Sequence, residues 1–342
     1  MAAETIPAST REVHLASRPV GDFRPGDLAV VELPLREPGD GEVLVRNEWM
    51  LMATAYRDLM NEDCKIPVPR FELGAPLTGR TVGTVLRSNS PDFAEGDLVE
   101  HFLGFREHVV LPARAFQKRD RGLLPAPQYF LANGPTAWRG IVDMAAAGEG
   151  DVVFVTGATS GVGSLAGQIA KHRGAAKVIG STGTKAKIDY LVDELGFDAA
   201  FDYHDGPALD RLRELAPEGV NVVFDNVGGA QFEAAVQAAA PGARFALCGA
   251  MTEQLGRERQ DLPRLDLMAS IGKQLTYRPF ACFHLPEQIA VWNEHFAKWL
   301  GQGTFKYSHT AIEGGVEAAP RALLGLLERK YTGNVVLKLT AD

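Results

Sequence analysis

Residues 151–164, DVVFVTGATSGVGS, join an apolar run to a string of small residues, and this junction restricts the chain more than any other stretch. Val152 to Val155 reads as a strand buried on both faces, and Gly157 to Gly163 as a tight turn opening a helix. Such a junction is the entry to a dinucleotide site. Gly161 and Gly163 remove Cβ where backbone approaches a pyrophosphate and where the helix lies close on the strand, and the helix N-terminus receives the phosphate charge. Ser160, Gly161, Val162 and Gly163 are the candidate phosphate-facing residues. Against G-x-G-x-x-G the string carries Ala158, Ser160 and Gly163 with an added Gly161, so taken alone it also describes an ordinary glycine-rich turn.

The surrounding pattern decides between the two. From Asp151 onward, strands at 152–155, 176–180, 198–203, 220–229 and 244–251 alternate with helices at 162–173, 185–195, 208–215 and 231–239. That alternation predicts a parallel, doubly wound Rossmann sheet. Before Pro127 the pattern is period-two, as in EVLVRNEWMLM (42–52), GRTVGTVLRS (79–88) and FREHVVLP (105–112), and predicts an antiparallel β-rich domain. Gly83 reads as a close strand crossing and Gly96-Asp97 as a turn. Residues 61–76 read as an irregular loop whose prolines forbid a helix. The class is therefore α/β, with 342 residues suiting two domains.

Composition narrows the partners. A net charge of −8 offers no basic stripe for nucleic acid. No apolar run reaches the roughly 20 residues that span a bilayer, and residues 1–18 carry no secretion-type apolar region, so a cytoplasmic location is expected. The three cysteines, Cys64, Cys248 and Cys282, are scattered and odd in number, which argues against a disulfide framework.

The end of the second strand of the parallel sheet sets the cofactor. An NAD site places Asp or Glu there for the ribose hydroxyls. This chain has Ser181-Thr182-Gly183-Thr184-Lys185-Ala186-Lys187, and hydroxyls with ammonium groups suit a ribose phosphate that a carboxylate would repel, so NADPH is expected. In FDNVGG (224–229) the glycines let backbone approach the cofactor, with Asn226 placed to contact it. LCGAM (247–251) resembles a C-G-A-I-S segment, which implies that Gly249 and Ala250 lie near the nicotinamide end, and its Cys248 reads as a packing residue of a buried strand.

GATSGVGSLAGQIAKHRG, YLVDELGFDAAFDY, VFDNVGG and ALCGAM together resemble the zinc-less medium-chain dehydrogenase/reductase superfamily, closest to the group of prostaglandin reductases, leukotriene hydroxydehydrogenases and alkenal double-bond reductases. The resemblance implies a GroES-like barrel domain over 1–128, a Rossmann domain over 129–305 and a return to the first domain over 306–342. It assigns Lys187 and Tyr203 to the ribose phosphate, with Lys185 able to share the task, and Phe280 to a place over the nicotinamide. Thr136 either faces the nicotinamide or serves in capping or packing. Superfamily members that hold a catalytic zinc carry Gly-His-Glu where this chain has Gly79-Arg80-Thr81, and no C-x-x-C occurs, so zinc is not expected. His101 and His108 form no recognised ligand pair.

Tyr56, in LMATAYRDLM (51–60), matches the group's tyrosine, although Thr54-Ala55 replaces Asp-Pro. It reads either as a donor to substrate or ribose or as a core tyrosine with a satisfied hydroxyl. Gly272 replaces a pocket tyrosine, with Tyr277 a candidate substitute, and Tyr331-Thr332-Gly333-Asn334 replaces N-x-G-K, leaving Asn334 a candidate cofactor contact. The resemblance implies NADPH-dependent reduction of the C=C bond of an α,β-unsaturated ketone or aldehyde, by a homodimer. A quinone reductase and a non-catalytic NADPH-binding protein are the alternatives.

Overall fold

The computed structural model describes residues 6–64, 66–251 and 263–340. Most of the arginine-rich stretch at 252–269, that is 252–262, lies outside the described residues, as do 1–5, Lys65 and 341–342. The chain divides into two compact units, one of 1–132, 309–331 and 335–342, the other of 133–308 and 332–334.

In the first unit β1 (Ser9–Leu15) pairs antiparallel with β2 (Leu28–Pro34). A larger sheet is built on β3 (Glu42–Met52), which pairs antiparallel with β4 (Thr81–Ser88). β5 (Leu98–His101) pairs with β4, β6 (His108–Pro112) with β3, and β7 (Gln117–Arg119) with β5. β3 is long enough to serve several neighbours, so it is buried over most of its length. The close crossing expected at Gly83 is present: a Cβ there would stand 2.3 Å from the Arg46 carbonyl oxygen. Residues 61–64 and 66–76 form neither helix nor strand.

The second unit holds a six-stranded, wholly parallel sheet of β8 (Val152–Val155), β9 (Lys177–Thr182), β10 (Ala199–Asp202), β11 (Val220–Asp225), β12 (Ala239–Leu247) and β13 (Thr276–Pro279). Their spatial order is β10-β9-β8-β11-β12-β13, the dinucleotide-fold order in which the direction of winding reverses beside the first strand. The strands are continuous apolar runs because helices cover both faces. Several boundaries differ from the sequence pattern, and the strand expected over 220–229 ends at Asp225. The last predicted strand, 244–251, runs instead from Ala239 to Leu247, and β13 continues the sheet at a segment with no clear strand signal. Before β8, the helix Gly134–Trp138 passes into a wider turn, Arg139–Met144, and Ala146 takes a left-handed φ of 47°. The chain then returns to the first sheet as β14 (His309–Ile312) and β15 (Asn334–Lys338), the latter pairing antiparallel with β3.

A buried histidine braces the first sheet. His101 Nδ1 accepts from the Leu103 amide at 3.1 Å, so its Nε2–H donates to Asn47 Oδ1 at 2.9 Å, while Asn47 Nδ2 donates to the carbonyls of Leu103 and Arg106. Burial, aided by Arg106, pushes the imidazole down to about 3. A histidine whose folded pKa is depressed supports the fold fully above its unfolded value of about 6.5 and loses that support as pH falls toward 3, by up to about 1.4 kcal/mol per pH unit. We expect the ring resonances of His101 not to titrate between pH 8 and 5, and the unfolding free energy of His101→Gln to change less between pH 6.5 and 5 than that of the native protein. A ring titrating near 6.5 would contradict the assignment.

Candidate dinucleotide and substrate site

β8 ends at Val155, and the backbone turns sharply at Gly157, whose φ is 58°. Ala158 N–H donates to the Ser181 carbonyl at 2.9 Å, tying the turn to β9. The helix Gly163–His172 starts at once, with Gly163 N–H donating to Ser160 Oγ at 3.0 Å. A Cβ on Gly163 would stand 2.5 Å from the Gly157 carbonyl oxygen and 2.9 Å from Ala158 Cα. Glycine is thus required there by helix-on-turn packing. Val162 is the residue before this helix, already in helical conformation. Ser164 Oγ, in the first helical turn, is fully buried and has no hydrogen-bond partner among the described residues. An unmatched hydroxyl donor at a helix N-terminus, beside two residues without side chains, fits a phosphate anion.

The turn is clamped from a distant part of the chain. Asn334 Nδ2 donates to the Gly161 carbonyl at 2.9 Å, its Oδ1 accepts from Asn133 N–H at 2.9 Å, and Gly333 N–H donates to the Thr159 carbonyl at 2.8 Å. Both ends of the Asn334 amide are therefore engaged with the protein.

At the end of β9, Thr182 Oγ1 shares a hydrogen bond of 2.9 Å with Thr159 Oγ1 and is buried. Gly183 follows. A Cβ there would come within 3.0 Å of Tyr203 Oη and 3.2 Å of His204 Cε1, so Gly183, Tyr203 and His204 meet at one point. Lys185 and Lys187 open the next helix, Lys185–Asp189, capped by Thr184. Lys185 is paired with Asp189 at 2.8 Å and stands exposed; Lys187 is half-buried. His204 was not singled out from the sequence. Its ring centroid lies 4.1 Å from that of Tyr203, and Nδ1 lies 2.8 Å from Asp202 Oδ1. A lone histidine in FDYHDG gives no local signal; the strand end supplies it.

Beyond β11, burial raises the Asp225 carboxyl, while hydrogen bonds from Thr156 and from the Val227 and Gly228 amides oppose that rise. Asn226 Nδ2 donates to the Thr156 carbonyl at 2.8 Å, joining β11 to the start of the glycine turn. Cys248 and Gly249 N–H both donate to the Asp225 carbonyl, at 2.8 and 3.1 Å. This is why β12 ends at Leu247: Cys248 lies past the strand and is half-buried, not within a buried strand as its apolar neighbours suggested. A Cβ on Gly249 would be 2.9 Å from the Asn226 carbonyl oxygen, and half-buried Ala250 follows.

Phe280 packs edge-on to Phe224, with the Arg139 guanidinium carbon 5.9 Å from its centroid. Thr136 is buried, its hydroxyl 2.9 Å from His284 Nε2. Gly272 sits on the exposed helix Leu267–Lys273, and Tyr277 packs against Phe232 and Phe245 with its hydroxyl 2.7 Å from Ser270 Oγ.

In the first unit Tyr56, 7% exposed, donates its hydroxyl to the Leu51 carbonyl at 2.8 Å and packs on Phe71 and Phe105. Burial pushes this phenol well above its usual range, against the nearby Arg80 charge. A Cβ at Gly79 would lie 2.4 Å from Tyr56 Oη, so the phenol fills the space a side chain at 79 would take. In Gly79-Arg80-Thr81, Arg80 is paired with buried Glu100 at 2.9 Å and donates to the Phe130 carbonyl, while Thr81 donates to the Trp49 carbonyl. Glu100 is also paired with Arg119 at 2.8 Å. Among the described residues no group of three or more His, Cys, Asp or Glu is placed to hold a metal ion.

Comparison with known proteins agrees with this geometry. Residues 11–118 match the family described as the N-terminal domain of oxidoreductase, and residues 161–298 match the zinc-binding dehydrogenase family. A 2-alkenal reductase (NADP(+)-dependent) of Nicotiana tabacum is 30% identical over 98% of this chain and 98% of its own length. The NADPH-dependent curcumin reductase of Escherichia coli (strain K12) is 29% identical over 96% of each. Among solved structures, CurA from Vibrio vulnificus in complex with NADPH superposes with a TM-score of 0.90 at 29% identity, covering 97% of this chain and 100% of that one. With its sheet order, glycine turn and full-length relatives taken together, the chain belongs to the medium-chain dehydrogenase/reductase superfamily, in the zinc-less alkenal double-bond reductase group, and is an oxidoreductase.

Proposed function

We propose that the protein uses NADPH to reduce the C=C bond of an α,β-unsaturated ketone or aldehyde. The observation that carries this reading is Arg80. Where zinc-holding members of the superfamily place a ligand, Arg80 is locked to Glu100, so a substrate oxygen would be polarised by hydrogen bonds alone. That weak activation suits a substrate whose β-carbon is already electrophilic through conjugation. The names of the tobacco and Escherichia coli relatives support the same substrate class.

When bound, NADPH supplies the hydride. The glycine turn, with Ser160 and Ser164 at the helix N-terminus, binds the pyrophosphate. Gly183, Lys187 and Tyr203 would receive the ribose phosphate, with the ammonium of half-buried Lys187 making a charge-assisted bond. Asn334 positions the turn through its backbone. Thr136, Gly249, Ala250 and Phe280 line the nicotinamide end, with Asn226 and Cys248 holding the backbone beside it. As the β-carbon accepts hydride, charge gathers on the carbonyl oxygen, which a hydrogen-bond donor stabilises, and a proton delivered to the α-carbon by Tyr56 or by water completes the saturated product. Tyr56 is our candidate: its phenol stays protonated, and it would exchange its Leu51 bond for one to the substrate.

Three measurements test this reading. Purified protein should oxidise NADPH in the presence of simple enones and alkenals and yield the saturated carbonyl. Failure across a broad panel would remove the assignment, and faster turnover on quinones would make the protein a quinone reductase. Lys187→Ala should raise the KM for NADPH about 10- to 100-fold while leaving that for NADH nearly unchanged, as expected for loss of a hydrogen bond to a charged group. Tyr56→Phe should lower kcat on the order of 100-fold without a matching loss of thermal stability; an unchanged kcat would assign the proton to water.

A further inference from the structure

Asp202 is the register partner of Thr182, so Gly183 leaves β9 beside the point where Tyr203 and His204 leave β10. A Cβ on Gly183 would lie 3.0 Å from Tyr203 Oη and 3.2 Å from His204 Cε1, so the missing side chain leaves a cradle rimmed by a phenol and by one edge of an imidazole. The His204 ring is exposed and leans on the Tyr203 ring, with centroids 4.1 Å apart. Its backbone N–H and its Nδ1 both meet Asp202 Oδ1, at 2.9 and 2.8 Å. A carboxylate oxygen only accepts, so Nδ1 carries a proton and donates it to Asp202, and Nε2 stands on the other edge of the ring. All of these groups belong to the second unit.

Resting on the placement of the ribose phosphate at Gly183, Lys187 and Tyr203, we propose that His204 binds this phosphate as an imidazolium, so that NADPH, unlike NADH, is bound with uptake of a proton. With the Nδ1 proton committed to Asp202, a neutral ring offers the phosphate only the Nε2 lone pair, which repels an oxygen. A second proton, at Nε2, turns that edge into a charged donor. The imidazolium then lies between two anions, Asp202 at Nδ1 and the phosphate at Nε2, and makes a charge-assisted bond to each. NADH presents a hydroxyl at the same place and draws no proton onto the ring. The titratable groups of the elements packed against β10 are Lys185, paired with Asp189, and Lys187 on the helix Lys185–Asp189, and Tyr190, Asp193 and Glu194 after it. At this end β9 adds only the hydroxyls of Ser181 and Thr182. Carboxylates and ammonium groups keep their charge between pH 7 and 9, and a phosphate monoester, with a second pKa of about 6, is already dianionic at pH 8, so a proton taken up there goes to an imidazole.

Calorimetric titration of the whole protein with NADPH and with NADH at pH 8, in Tris and in Hepes, reads affinity and proton uptake together, because the two buffers differ in ionisation heat. The native protein should take up a fraction of a proton with NADPH beyond any taken up with NADH. His204→Asn keeps a donor for Asp202 near the place of Nδ1 and removes Nε2. It should raise the Kd for NADPH about 10-fold, the low end for a hydrogen bond to a charged group because the ring is exposed. The Kd for NADH should stay unchanged, which also shows that the variant is folded, and the extra proton should vanish. Equal NADPH affinity in the native protein and the variant, or no extra proton in the native protein, would overturn the proposal. Lys187→Ala in the same titration separates it from the placement of the phosphate. If Lys187→Ala weakens NADPH and His204→Asn does not, the phosphate site stands and the role of His204 falls; if neither weakens it, both fall. No enone enters the measurement, so its outcome is independent of the substrate.

Discussion

The second unit depends on how closely the helix Gly163–His172 can approach the turn that precedes it. A Cβ on Gly163 would have to occupy space 2.5 Å from the Gly157 carbonyl oxygen, an overlap with backbone that no side-chain rotation relieves. Forcing an extra carbon into such a contact costs about 1–3 kcal/mol and moves the helix N-terminus. The position of that terminus is the functional quantity, because amide dipoles and the Ser164 hydroxyl act on an anion only over a short distance. Asn334 completes the constraint by engaging the Gly161 carbonyl, so a residue near the end of the chain fixes the geometry of a turn near its middle.

The same logic organises the carboxyl ends of the parallel strands. Asp225 accepts from Thr156, Val227 and Gly228, and its carbonyl receives the amides of Cys248 and Gly249. The ends of β8, β11 and β12 are thereby held as one piece. Stopping β12 at Leu247 leaves Cys248 past the strand end, and Arg139 holds the backbone on either side of Cys282. In the first unit the organising charge is Glu100, buried between Arg80 and Arg119, and it leaves Arg80 with no freedom to act on a substrate.

The sheet, the turn and the family were all legible along the chain. β8 ran from Val152 to Val155 as read, because four apolar residues stopped by small ones are legible without neighbours, and the following strands fell within a few residues of their apolar runs. Gly83 was legible for the same reason: a glycine between β-branched residues marks a close crossing. Where side chains separated in sequence meet was set by the packing of the strands in space. No periodicity assigns TYRP to the sheet as β13, joins His204 to Gly183 and Tyr203, or directs both ends of the Asn334 amide to the backbone at Gly161 and Asn133. The physical reason is the range of the forces involved. Hydrophobic pattern and backbone sterics act through neighbours along the chain, whereas hydrogen bonds and charge pairs act through space and exist only once the strands have been laid side by side.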